Sequence, residues 1–327
     1  MSKKIMGVGS PLVDILARVS HEHVDGIEGD KGGMCMVEFD QLQGLLADVP
    51  NQELATGGSA SNTIVGLLNL GVSGAFLGKI GSDERGQYFL DSFVKAGGSD
   101  HAFKRCPETP TGTCLSLVTP DAERTMRPFL GAAAGLLVEE VTVEDFKDQD
   151  HVHLEGYLLF NRDLALKTFK AAKEAGCTVS VDLASFEVVN ANQDVLPELL
   201  ENYVDMVFAN EEEAKAFCGS DDPQVAIESL SKHCSIVAVK LGADGAWVQR
   251  DGEKVFVSAH KVEAIDTTGA GDLWASGFLY GLAHDLGLEE STKLAHKVGS
   301  EVVQVMGAVI PEDGWKRINT TLEDLKG

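Results

Sequence analysis

Apolar and polar positions along the 327-residue chain fall into two alternating patterns. Short apolar or β-branched runs predict strands at KIMGVG (4–9), GAFLGKIG (74–81), HVHLEG (151–156), TVSVDLA (178–184), MVFAN (206–210) and IVAVKLG (236–242). Between them lie segments with apolar or small residues at helical spacing, such as LALKTFKAAKEAG (164–176), which closes on a Gly. Strand and helix in repeated alternation predict an α/β fold, a mostly parallel sheet flanked by helices on both faces. No fixed-period repeat or low-complexity tract interrupts the pattern. The length suits one large α/β domain over residues 1–327.

Two stretches break the rhythm. Residues 14–56 include the Gly-rich VDGIEGDKGGMCMVEFD. Residues 102–130, AFKRCPETPTGTCLSLVTPDAERTMRPFL, read as short antiparallel strands joined by Pro and Asp-Ala turns. If the two pair, they form a small β-rich lid over one edge of the large sheet; surface hairpins are the plainer alternative. The predicted strands end in Gly9, Gly81, Gly156, Asp182, Asn210 and Gly242. Ligands of open α/β sheets lie beyond the carboxyl ends of the strands, where small and polar residues leave room and offer hydrogen bonds.

Charge narrows the partners. A net charge of −24 argues against nucleic acid and against an anionic membrane surface, both of which demand compensating Lys and Arg. The six cysteines form no CxxC pair, so reduced thiols of a cytoplasmic protein are expected. The start, MSKKIMGVGSPLVDI, lacks the apolar stretch of a signal sequence, and no segment approaches the roughly 20 apolar residues of a membrane span.

The candidate chemistry lies in AIDTTGAGDLWASGF (264–278). KVFVSAHKVEAID before the loop (254–266) reads as a strand. Leu273, Trp274, Phe278, Leu279 and Leu282 after it share roughly one helical face. TTGAGD is then a strand-to-helix turn whose glycines sit at a helix N-terminus, where unpaired N–H groups form an anion site. It is no P-loop, because no GxxxxGK[ST] occurs. Asp272 beside that turn would repel a phosphate unless it faced a second reactant. In phosphoryl transfer an aspartate takes the proton of the acceptor hydroxyl. The plain alternative is a first-turn acid that favours the helix dipole. A second Gly-rich helix start is GGSASN (57–62) before TIVGLLNLG. NEEEAKAF (210–217) places Asn210 and Glu213 three apart at a strand end, and KLGADGAW (240–247) carries Gly242 and Gly245 around a turn.

GGSASN together with DTTGAGD resembles the paired signature of the ribokinase-like (PfkB) family of sugar and nucleoside kinases. GVGSPLVDI, TGTCLSLVTPDAERT, NEEE and KLGADG stand in the family's order. The resemblance implies Asp272 as catalytic base and Gly269, Ala270 and Gly271 as an anion hole acting through backbone amides. It implies Asp14, Gly57, Gly58 and Asn62 around the acceptor's hydroxyls, with Arg124 as a lid-side basic residue near the phosphates. Asn210, Gly242, Gly245, Thr268 and His296 fall to the nucleotide. Glu213 falls to Mg²⁺ through water. ATP and Mg²⁺ are the implied cofactors, with a monovalent cation left open. The implied partner is a small nucleoside or sugar, and the protein is a monomer or a homodimer.

The Pro of GSPLVDI and His296 are similar to the adenosine kinase branch, so a purine nucleoside is the first expectation and a sugar or keto-sugar acid the second. Met34, Met36, Phe129 and Leu130 could form the apolar slot a base needs, or could be lid core. A helix-surface residue is the ordinary reading of His296. His151 and His153 share a strand face, but without a third ligand a structural role outweighs a metal site. No base marks Cys35 or Cys114 as a nucleophile. Glu211 and Glu212 read as first-turn acids. A non-catalytic binding protein on the same scaffold is the rival from another class. A dinucleotide oxidoreductase fails because GVGSPL lacks the third glycine.

Overall fold

The computed structural model describes residues 3–49, 51–121 and 123–326. The six apolar runs lie side by side in one sheet, in the order Ser73–Leu77, Lys4–Val8, His151–Glu155, Thr178–Asp182, Met206–Asn210, Ile236–Lys240, all parallel. A hairpin, Ala246–Arg250 and Glu253–Val257, extends it antiparallel to eight strands. Alternation divides each strand between two cores. Met6, Val8, Val152, Leu154, Val181 and Val239 point into the core that holds apolar residues of helices Arg162–Glu174, Leu196–Tyr203 and Pro223–Leu230. Ile5, Phe76, Phe208 and Val248 point the other way, among those of Ser59–Asn69, Ala270–Ala283 and Leu288–Val302. Phe76, Phe208 and Phe278 are fully buried, each contributing about 1.5–3 kcal/mol of apolar transfer. Helices on both faces explain why the central strands read as near-continuous apolar runs.

Two predicted strands are shorter than expected. GAFLGKIG breaks at Gly78, which lies against the Gly9 carbonyl and Pro11. Its second part, Lys79–Gly81, pairs in parallel with Lys104–Cys106 as a separate ribbon. Residues 104–106 therefore leave the segment expected to form the lid. The run 254–266 is a strand only to Val257, and residues 261–265 are exposed non-strand chain leading to the anion turn. β-branched content there is satisfied without a partner strand, because the hairpin edge ends first.

A second sheet of four strands stands apart, in the order Glu53–Gly57, Leu12–Arg18, Thr113–Val118, Arg124–Phe129. Its strands fall within or beside the two segments that broke the α/β rhythm. Its outer face carries Ile15, Ala17, Leu115 and Leu117, covered by Val24 of helix His21–Asp25 and by Leu42 and Leu46 of helix Phe39–Ala47. Phe129 packs on this side too, 5.4 Å from Phe39. The inner face carries Asp14, Cys114, Ser116, Arg124 and Met126, fixed by register: Asp14 pairs with Cys114, and Ser116 with Met126. Among the described residues, no helix is long and apolar enough to cross a membrane.

Candidate active site

Helix Ala270–Ala283 begins at Gly269, whose left-handed φ of +71° turns the chain from the exposed segment into the core. The Ala270 amide bends back to the Thr267 carbonyl (3.1 Å), so it closes the turn. The first intrahelical bond is Leu273 N–H to Gly269 O, and the Gly271 and Asp272 amides precede it without a helical acceptor. Asp272 projects from this first turn. Ser59 Oγ donates to one carboxylate oxygen (2.8 Å) and Asn62 Nδ2 to the other (2.9 Å), while Thr63 Oγ1 holds its backbone carbonyl (3.1 Å). The two Gly-rich helix starts, 213 residues apart at Ser59 and Asp272, thus meet at one carboxylate. Burial pushes Asp272 up to about 6, against the pull of the Asn62 and Ser59 hydrogen bonds, with the Asp182 charge adding to the rise.

Beside that turn the strand ends bring up charge. Lys240 closes Ile236–Lys240 and donates to Asp182 Oδ2 at 2.6 Å; their side chains are 13% and 7% exposed. Asp182 also accepts from the Ala184 amide (3.1 Å), at a residue held at φ +66°. Asn210 and Glu213 form a reciprocal cap of helix Glu211–Cys218. Glu213 N–H donates to Asn210 Oδ1 (2.9 Å), while Asn210 N–H and Nδ2 donate to the Glu213 carboxylate (2.8 and 2.7 Å). Burial pushes Glu213 up to about 7, with Asp182 adding and Lys240 opposing. Glu155, at the neighbouring strand end, accepts from Ser10 N–H (2.8 Å), and burial raises its carboxyl as well.

The small sheet contributes a third cluster. Arg124 is buried. Its Nη2 donates to Ser116 Oγ (2.6 Å) and lies 3.5 Å from Asp14, and its Nη1 lies 3.5 Å from Asp266. Among the described residues, Arg124 Nε and Nη1 have no hydrogen-bond partner. Asp266 is engaged by the amides of Thr268 (2.9 Å) and Gly307 (2.8 Å), which outweigh burial and lower its carboxyl. Among the described residues Asp14 has no such amides, and burial carries it to about 6 despite Arg124. Gly57 and Gly58 are glycine for separate reasons. A Cβ on Gly57 would stand 2.5–2.7 Å from the Asp14 carboxyl atoms. Gly58 has φ +96°, and its Cβ would run into the Ser10 carbonyl. Two adjoining cavities of about 550 and 370 Å³ share Thr56, Ala308 and Val309; Asp14 lines the first and Asn62 the second.

Sequence reasoning brought Asp14, Asn62, Asn210, Glu213 and Asp272 into view, and missed the parts played by Asp182, Lys240, Glu155, Ser59 and Asp266. Asp182 was visible only as a polar strand end. Arg124 sits with Asp14 and Asp266. Of the four residues suggested for a base slot, Phe129 belongs to the outer core. Met34 shares the inner face through its bridge to Met126, with Met34 and Met36 both more than half exposed. His296 is not on the surface. It is buried, its Nδ1 accepting from Trp274 Nε1 (3.1 Å) and its Nε2 facing the Val257 carbonyl (2.9 Å), so a polar contact to a base would have to break one of these. The Gly242–Asp244 turn is exposed, and Gly245 abuts the Val257 carbonyl. His151 and His153 join a buried row with Thr178 and Ser180 (2.7–2.8 Å). Among the described residues no group of three metal-ligating side chains forms. All six cysteines are free, and burial pushes the Cys114 thiol up to about 12.

Residues 32–314 match the family described as pfkB family carbohydrate kinase. Among solved structures, a probable sugar kinase from Rhizobium etli CFN 42 superposes with a TM-score of 0.88 at 29% identity, over 99% of both chains. The adenosine kinase from Sinorhizobium meliloti does so with 0.87 at 31% identity, over 98% of this chain and 100% of that one. An uncharacterized sugar kinase from Archaeoglobus fulgidus is 29% identical over 244 residues, 75% of this chain and 96% of its own. With the helix starts, strand-end charges and overall superposition in agreement, the chain belongs to the PfkB family of carbohydrate kinases, ATP-dependent enzymes that phosphorylate hydroxyl groups of sugars and nucleosides.

Proposed function

We propose that this kinase transfers the γ-phosphoryl group of ATP to a primary hydroxyl of a purine nucleoside, with Asp272 as the base. The observation that carries the reading is the carboxylate of Asp272, oriented by Ser59 and Asn62 in the first turn of a helix whose Gly271 and Asp272 amides have no acceptor among the described residues. Each carboxylate oxygen of Asp272 takes one neutral donor, which orients the group, while burial keeps its basicity above that of an ordinary carboxylate. A primary hydroxyl brought to it loses its proton as the acceptor oxygen attacks phosphorus. The Gly271 and Asp272 amides then stabilise charge on the moving phosphoryl, with Gly269 shaping the turn. Asp14 and Arg124 bind acceptor hydroxyls, an acceptor and a donor side by side. The small sheet closes as a lid and excludes water, which would otherwise compete as nucleophile.

Asp182, Glu213 and Asp272 surround one ammonium, Lys240, so the site carries surplus negative charge that adds to the rise burial gives Glu213 and Asp272. Such a surplus suits Mg²⁺ bound with the nucleotide, which neutralises phosphate charge; Glu213 would hold it through water. The exposed Gly242–Asp244 turn follows one residue after Lys240 and leaves room for the nucleotide, with Thr268 on the anion turn.

Nucleoside rather than sugar is favoured by Met34 and Met126, an apolar pair on the same face as Asp14. A sugar or keto-sugar acid has one observation on its side, the Nε and Nη1 of buried Arg124, unbonded among the described residues, which could take a carboxylate or several hydroxyls. The test is ATP consumption with Mg²⁺ over adenosine, inosine, ribose, fructose and 2-keto sugar acids. Turnover with adenosine alone supports the proposal. Turnover only with a sugar keeps the base and discards the acceptor. Tight binding without turnover points to a binding protein.

A further inference from the structure

We propose that Lys240 is a catalytic residue whose ammonium meets an oxygen of the phosphoryl group in transfer, beside the 269–272 turn. The proposal rests on the kinase reading with Asp272 as base. Lys240 ends a central strand, the place from which an open α/β sheet presents groups to a ligand. Its tip reaches the anion turn, since a Cβ built on Gly271 would stand 3.0 Å from Nζ. Among the described residues its hydrogen bond goes to Asp182 alone, at 2.6 Å, so two of its three N–H donors remain for a ligand. Asp182 in turn is pinned by the Ala184 amide, which fixes where the ammonium stands.

Burial works against the charge, yet Asp182, Glu213 and Asp272 together raise the lysine above its ordinary value, so it stays an ammonium. A preorganised cation in a water-poor site stabilises developing phosphoryl charge without reorganising. In the step itself, the bond from the acceptor oxygen to the γ-phosphorus forms. The bond from that phosphorus to the β,γ-bridging oxygen breaks, and this oxygen leaves on ADP. The hydroxyl proton goes to Asp272, and Lys240 keeps all three of its protons. Asp182 is a positioning residue, acting through the lysine.

A lysine that merely neutralised Asp182 would look similar, and the test separates the two. Lys240→Met alone leaves Asp182 buried and unpaired and could unfold the protein, so the comparison is Asp182→Asn against the double variant Lys240→Met/Asp182→Asn, neutral at both positions. Calorimetric Kd values for ATP and ADP are measured with Mg²⁺, along with kcat and acceptor KM. If Lys240 touches the phosphoryl group, the double variant has a kcat about 100-fold below that of Asp182→Asn, a near-unchanged acceptor KM, and an ATP-over-ADP preference reduced about tenfold. Equal kcat and equal ATP preference in the two variants overturn the proposal and leave Lys240 as a counter-charge. Absence of turnover by the wild type with every acceptor sinks the kinase reading itself, while the ATP-to-ADP ratio still reports on Lys240.

Discussion

Two buried cations stand between carboxylates in this protein, and they are held in opposite ways. Lys240 is locked to Asp182 at 2.6 Å, both at the ends of strands in the large sheet. Arg124 stands 3.5 Å from Asp14 and from Asp266 and, among the described residues, is bound closely only to Ser116, with two of its nitrogens unbonded. The first pair belongs to one rigid element. The second bridges two elements, the small sheet and the chain before the anion turn. Where charge develops during reaction, a fixed cation helps because nothing has to move. Where a substrate must arrive and leave, loosely paired groups help because the ligand can replace their partner at small cost.

The comparison breaks at its centre if Asp272, between the two clusters, is not the base. Asp272→Asn is expected to lower kcat by about 10³-fold or more with ATP affinity retained, checked by steady-state kinetics and calorimetry. An unaffected kcat would leave the turn as a helix cap. The looser cluster should act on binding: Asp14→Asn and Arg124→Met are expected to raise the acceptor KM about 10–100-fold while changing kcat less, a split that Lys240 variants should not show. If Arg124→Met instead lowers kcat alone, Arg124 serves the phosphates.

A pH profile sharpens the same contrast. Asp272 must be ionised to accept a proton, and burial has carried it to about 6. Activity is therefore full above that value and is lost as pH falls through about 6, roughly tenfold per unit below it. A limb near 4 would mean that the base is an ordinary exposed carboxylate.

The smallest effect on activity belongs to an ion cluster that is part of neither. Glu301, 3% exposed, takes Lys297 at 2.7 Å and Arg317 at 2.7–3.1 Å, tying helix Glu312–Lys326 to Leu288–Val302. Arg317 is half exposed, so water screens part of the attraction. Glu301→Gln should cost about 1–2 kcal/mol and a few degrees in Tm, with kcat unchanged. Its partners hold the Glu301 carboxyl below the usual value. The folded state thus binds this proton more weakly than the unfolded chain. The contribution is present above pH 4.5 and disappears as pH falls through the lowered folded value, so wild type and variant should converge in acid.

What could be read from the chain was local. Strand runs, the helix starts after GGSASN and DTTGAGD, and the Asn210–Glu213 cap follow from side-chain period, glycine tolerance and hydrogen bonds three residues apart. The limits of such reading show where context took over. The run 254–266 has strand composition but finds no partner beyond Val257. His296 looks like a surface residue on its helix, yet packs under Trp274. Phe129 and Met126, three apart on one strand, face opposite sides because the pleat alternates.

The sequence by itself determined the layered α/β frame and the carboxylate in the first turn of helix Ala270–Ala283, since both depend on neighbours within a few residues. Only the tertiary structure decided which charges meet. Asp182 and Lys240 lie 58 positions apart, Ser59 and Asp272 lie 213 apart, and Arg124 reaches Asp266 from another sheet. Such pairings are set by strand order and by the crossing of helices over the sheet, and no short window of sequence encodes either.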